Sequence, residues 1–296
     1  MHKAIAAMQM KFNKKVLCIT ILAIPFLLST CAPKPLLPYS EDVAPLTLLP
    51  ASQAGIQDER GRFREIFCQI LEHHGKALPD YRPCEDALVR VGKEPHGSGE
   101  TVALGSSTRK LTALVVPGVG WDCFSDWLDM DDSIPDHVRQ FGFELLTLKV
   151  DGLSSSMNNA RQIRDAIMTI EPPIEGANLV LIGYSKGAPD MLEALAAYPE
   201  IHNQVAAVVS IAGAVGGSPL ANDASQSQLG LMRHWPGAQC TEGDGGAIES
   251  LRPSVRKAWL DENPLPKNFP YFSLVTYPKP ERISSVLQFS YKKLSR

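Results

Sequence analysis

Short apolar runs alternate with helical stripes along most of the chain. Runs at 110–116, 143–150, 178–182, 205–212 and 269–277 are bounded by turn formers and read as strands. Residues 101–104 read as a further strand before a polar turn. Between the runs, 160–170, 191–197 and 283–294 repeat apolar residues at helical spacing. Strand–helix repetition of this kind predicts an α/β fold, a mostly parallel sheet with helices on both faces. The rhythm breaks over 213–268. There glycine, serine and asparagine give way to a predicted helix at 248–260 with Leu251, Val255 and Trp259 on one side. Ahead of the sheet, 58–92 predicts an N-terminal helical hairpin. Phe63, Ile66, Phe67, Ile70 and Leu71 line one face, Gly75 and Pro79 interrupt it, and Cys84 opens a second helix to Val91.

The candidate chemistry sits where the run at 178–182 meets a helix. Gly183, Tyr184, Ser185, Lys186 and Gly187 form a G-x-S-x-G motif, and Met191, Leu192 and Leu195 then recur at helical spacing. The turn is too sharp for side chains at the two glycine positions. It lifts the Ser185 hydroxyl to the start of a helix whose N–H groups favour a developing negative charge. Pro189 fits the first helical turn. With these residues in this order, the chain over roughly 100–290 resembles the α/β-hydrolase superfamily, and the resemblance implies that Ser185 is a nucleophile on an elbow.

The resemblance also implies that Pro117, Gly118, Val119 and Gly120, after the run at 110–116, are the oxyanion loop. The backbone N–H groups of Val119 and Lys186 would hold the oxyanion of a tetrahedral intermediate. Trp121, Phe124 and Trp127 follow, and either line an apolar substrate site or pack in the core. The stretch 151–157 lies at a strand C-terminus and is expected to line the site. The insertion at 213–268 would be a cap over it. Side chains of neighbouring elbow residues diverge, so Lys186 is no substitute base; its ammonium is expected in solvent, against the alternative of holding an anionic intermediate.

In this superfamily the partners come in the order Ser, then Asp or Glu, then His beyond the last strand. Glu281 is the carboxylate after Tyr277, and no histidine follows His234. Three readings stay open: a piece of a longer hydrolase without its acid and base, a degenerate member that binds without turnover, or a member using His234 as base. The implied activity is hydrolysis of an ester through an acyl-Ser185 intermediate, by an esterase or lipase needing no cofactor. A non-catalytic binding or scaffold protein is the rival expectation.

The N-terminus reads as an address. Lys3, Lys11, Lys14 and Lys15 precede an apolar run at 16–28, the length of a signal peptide core and short for a membrane span. Leu28, Ser29, Thr30 and Cys31 resemble a bacterial lipobox, with Cys31 as the lipid attachment site. The expected plan is a signal peptide at 1–31, a proline-rich tether at 32–57 and the hydrolase-like domain at 58–296, held in the bacterial cell envelope, periplasmic or surface-exposed. A formal charge of −3, with no basic block beyond the N-terminus, gives no electrostatic case for nucleic acid. Of the six cysteines, Cys18 and Cys31 belong to the address. The remaining four, in an oxidising compartment, are expected to pair as Cys68–Cys84 and Cys123–Cys240, against the alternative of buried thiols. No C-x-x-C or histidine pattern suggests a metal. The expected partners are a small ester or lipid and, through the lipid on Cys31, a membrane; the oligomeric state is left open.

Overall fold

The computed structural model describes residues 55–77, 81–124, 137–171, 176–224, 238, 240–241, 243–276 and 280–294, and in it the apolar runs form one five-stranded sheet. The strands are β1 (Leu111–Val116), β2 (Phe143–Thr147), β3 (Leu179–Tyr184), β4 (Val205–Ile211) and β5 (Tyr271–Leu274). Their order is β2-β1-β3-β4-β5, and every pairing is parallel. The expected signal peptide with Cys18 and Cys31, most of the expected tether, Trp127 and His234 lie outside the described residues.

Helices connect the strands. In chain order the helical segments are α1 (Arg60–His74), α2 (Cys84–Ala87), α3 (Trp121–Phe124), α4 (Ser156–Thr169), α5 (Gly187–Ala197), α6 (Leu220–Asp223), α7 (Ala247–Ser250), α8 (Pro253–Glu262) and α9 (Gln288–Leu294). Among the described residues, none is long and apolar enough to cross a membrane. The core follows from the two periodicities. β1 and β3 alternate, burying Leu114 and Val116 on one and Leu179 and Leu181 on the other, while α4 and α5 bury Ile163, Ile167, Met191 and Leu195. Each of these side chains stabilises the fold by roughly 1.5–3 kcal/mol relative to exposure.

The strand order positions the site. From β1 the chain steps out to the edge at β2, then returns to the other side of β1 for β3. Loops leaving the C-terminal ends of β1 and β3 therefore run apart, and a crevice opens between them at the switch point. Those two loops carry Gly118–Gly120 and Ser185.

Three expectations change. Residues 101–104 join no ladder; beyond them Ser107 N–H donates to Phe141 O ahead of β2, so this stretch runs along the sheet rather than within it. The hairpin is one long helix followed by a single turn, because Leu88 is already extended and its carbonyl accepts from Arg64. The apolar stripe of α1 does not face a core. Phe63 and Ile70 are exposed, and the buried positions are Gly61 and Arg64, the latter paired with Glu94 at 2.6 Å. A buried guanidinium needs such a partner, and satisfying it turned the helix. Cys68 and Cys84 stand at disulfide distance and tie α2 back to α1, with Cα atoms 5.3 Å apart. Closing a loop of that size is worth about 3 kcal/mol on the chain-entropy account.

Candidate active site

Ser185 follows the last residue of the central strand and precedes α5, with φ 51°, a left-handed conformation that an L-residue adopts only when its surroundings impose it. Here β4 imposes it. Ser185 N–H donates to Ile211 O at 3.1 Å, and Ser185 O accepts from Ala214 N–H at 3.0 Å. Both glycines of the motif are required by close approach. A Cβ on Gly187 would lie 2.0 Å from Val116 O, and one on Gly183 would lie 2.5 Å from Ala188 Cα. The helix thus starts directly against the ends of β1 and β3, with its positive end at the serine.

Across the crevice, the loop after β1 reaches Ser185. A Cβ built on Gly118 would stand 3.5 Å from Ser185 Oγ. Gly120 N–H is committed to Gly152 O at 3.1 Å, whereas among the described residues neither Val119 N–H nor Lys186 N–H reaches a protein acceptor. Two donors of this kind flanking a serine can receive the charge of an oxyanion. Trp121 is half-buried in α3 beside this loop.

The loop is braced from two sides. Asp122 Oδ1 accepts from Gly152 N–H and its Oδ2 from Thr241 N–H. Cys123, fully buried, stands at disulfide distance from Cys240, with Cα atoms 4.0 Å apart. The expected site-lining stretch at 151–157 is therefore a strut as well: it supports the β1 loop and, through Asp244, meets the 213–268 segment. Asp244 accepts from Ser155 N–H at 2.6 Å, from Ser155 Oγ, and from Gly246 N–H at 2.9 Å. Burial pushes its carboxyl up, but these hydrogen bonds prevail and hold it below 3.8. A depressed carboxyl contributes stability that is present above the unfolded value and is lost as pH falls through the folded one. Asp244→Asn is accordingly expected to lower the urea midpoint at pH 7 and to flatten its fall below about pH 4. An acid limb as steep as the parent's would remove Asp244 from this role.

Two side chains depart from expectation. Lys186 is not in solvent: it is 1% exposed, and its Nζ lies 2.7 and 2.8 Å from the two carboxylate oxygens of Asp190, itself fully buried. The i,i+4 spacing on α5 brings them together, and the side chain turns inward because a partner waits there. The expected helix at 248–260 breaks into α7 and α8 before Pro253, with Arg252 extended, as the residue ahead of a proline prefers. Its inner face carries a charge beside apolar residues: Leu251 and Trp259 pack against the core as expected. Val255 is at the surface, while Arg256 is buried, pairs with Glu193 on α5, donates to Val215 O and lies 4.5 Å over the Trp259 ring. Burial pushes the Glu193 carboxyl up and the Arg256 guanidinium down, each opposed by the other's charge. This pair fastens the 213–268 segment to the elbow helix.

Glu281 lies in a short 3-10 turn after β5 and is exposed. His202 is spoken for, its Nε2 2.7 Å from Leu195 O and its ring against Phe269. Reasoning from sequence missed Asp122, Asn159, Asp190 and Asp244. Only the Lys186–Asp190 spacing offered a signal.

No protein-family model matches the chain, and no curated protein sequence matches it. Among solved structures, a metagenomic carboxyl esterase is 36% identical with a TM-score of 0.77, over 86% of this chain and 76% of that one. A mature lipase from Bacillus licheniformis is 18% identical with a TM-score of 0.43, over 58% of this chain and 68% of that one. The phospholipase PlaB from Legionella pneumophila is 15% identical with a TM-score of 0.38, over 62% and 42%. At that distance the last two bear on nothing in the site.

Proposed function

The chain belongs to the α/β-hydrolase superfamily, and on that footing we propose that it is a serine hydrolase of the esterase type. Ser185 Oγ would attack an ester carbonyl, with its proton passing to a general base. The carbonyl oxygen becomes an oxyanion held by Val119 N–H and Lys186 N–H. Collapse expels the alcohol and leaves an acyl-Ser185, and water then releases the acid and restores the serine. The observation that supports this best is the strained Ser185, set at the switch point over the positive end of α5 with the β1 loop against it. The base is proposed to be a histidine, since a serine hydroxyl at its free pKa is a weak nucleophile. His234 is the candidate base the sequence offers; it precedes Glu281, so that carboxylate does not fit as its partner in the order Ser, acid, His, and the acid is left unassigned. The substrate class proposed is a small-molecule ester or a lipid.

The test is labelling of the purified full chain with a fluorophosphonate probe, beside a heat-denatured sample and Ser185→Ala. Labelling lost in both controls supports an activated serine. A well-folded chain that does not label would sink the enzyme reading and favour a binding or scaffold role, in which ligand affinity ignores Ser185→Ala.

We propose further that Cys31 carries a lipid and tethers the enzyme in the bacterial cell envelope, on the strength of the lipobox-like 28–31 alone. Mass spectrometry of the N-terminal peptide decides this: an unmodified residue 31, or an intact chain from Met1, defeats it.

A further inference from the structure

The side chain of Lys186 is the first link of a buried chain of polar contacts that ends on the opposite wall of the crevice. Lys186 Nζ binds both oxygens of Asp190. Asp190 Oδ2 accepts from Asn159 Nδ2 at 2.8 Å, and the same Nδ2 donates to Asp151 O at 3.1 Å. The next residue, Gly152, holds the β1 loop twice, accepting from Gly120 N–H and donating to Asp122 Oδ1, both at 3.1 Å. Asn159, Lys186 and Asp190 are each at most 1% exposed. The cost of burying this lysine and carboxylate is several kcal/mol per ion before pairing, and a leucine–methionine pair of similar volume would fill the space without it. Something other than packing is therefore gained from the pair.

We propose that Asp190 and Asn159 are positioning residues that hold the two backbone donors, Val119 N–H and Lys186 N–H, in register across the crevice. The inference rests on the serine hydrolase reading for its catalytic meaning. Each donor stands on a separate loop, after β1 and after β3, and loops that diverge at a switch point need a cross-brace if their N–H groups are to converge on one oxygen. The Lys186 side chain fixes the peptide plane it belongs to, because its ammonium is held by both carboxylate oxygens. Asn159 carries that constraint to residues 151–152, which carry it to Gly120, one residue beyond Val119. Asn159 is suited to this position since its amide can donate to two acceptors, one on each wall. Aspartate there would face Asp190 as a like charge, and leucine would end the chain.

The experiment uses Asn159→Leu and the double variant Lys186→Met/Asp190→Leu, which removes both charges and so leaves none unpaired. Fluorophosphonate labelling of the full chain is resolved into kinact and KI at a temperature where circular dichroism shows each variant folded. Amide hydrogen exchange at Gly120 is followed alongside. Both variants are expected to lower kinact by about tenfold to a hundredfold, as misplacement by an ångström does, with KI within about twofold. The Gly120 amide is expected to exchange at least about tenfold faster, while that of Val208 in β4 is unchanged. A stable, well-packed variant that labels at the parent's kinact overturns the proposal, and so does unaltered exchange at Gly120. If the parent itself fails to label yet Gly120 exchange rises in both variants, the cross-brace stands and the hydrolase reading falls instead.

Discussion

Ser185→Ala is expected to abolish probe labelling and to lower ester turnover by on the order of 10⁵-fold or more, close to 7 kcal/mol of transition-state stabilisation. The size follows from where the side chain stands. Oγ is the atom the elbow exists to present: the φ of 51°, the two glycines and the hydrogen bonds from β4 all serve its position. Alanine keeps that backbone and removes the nucleophile, so the variant should melt with the parent. What turnover survives would come from the oxyanion donors acting on water, which alone give about 10³–10⁴ over the uncatalysed rate. Steady-state hydrolysis of a short p-nitrophenyl ester measures it. Turnover retained within a factor of about ten in Ser185→Ala would move the chemistry to another residue.

Gly187→Ala should be severely damaging, since among the described glycines none has a main-chain atom closer to its added carbon. The added carbon would meet Val116 O at 2.0 Å and Pro117 O at 2.7 Å, both main-chain atoms at the end of a central strand with no rotamer to move away. Overpacking that side chains can absorb costs about 1–3 kcal/mol; here the helix itself must lift off β1, so a loss above about 3 kcal/mol is expected. For a domain of this size that lowers the melting temperature by roughly 6–12 °C. Labelling should fall as well, because lifting α5 carries Ser185 away from Gly118. Gly216→Ala is the control, with nothing within 4 Å of its added carbon. Equal melting and labelling of the Gly187 and Gly216 variants would show that the helix start is not confined as described.

The sheet and the elbow were readable in the sequence because both rest on local signals. Apolar runs bounded by turn formers gave β1, β2, β3, β4 and β5 to within a few residues, and G-x-S-x-G between a strand and a helix marked a turn sharp enough to need two glycines. The side-chain interior was less readable. Lys186 was expected in solvent; its partner Asp190 lay at the right spacing, but the Asn159 that completes the pocket comes from another helix. Arg256 was hidden for the opposite reason. Leu251 and Trp259 do pack against the core, but Val255 stands at the surface, and only Glu193 on α5 shows why the helix turns a charge inward beside them. Asp122 and Asp244 receive backbone N–H groups that come together only once distant loops meet, and no window of sequence contains both partners. The second helix of the hairpin failed because Arg64 claims the carbonyl of Leu88 and pulls the chain straight.

The hydrogen bonds that set Ser185 come from residues made later. A ribosome that has released the chain as far as Gly187 has delivered the whole motif, yet Ile211 and Ala214, which hold the serine in its left-handed turn, are still to be synthesised. Until β4 pairs with β3 the motif is an ordinary stretch of polypeptide, with a hydroxyl no more reactive than that of any other serine. On the serine hydrolase reading, reactivity at Ser185 reports the arrival of β4, and a chain still being made has no nucleophile to misuse.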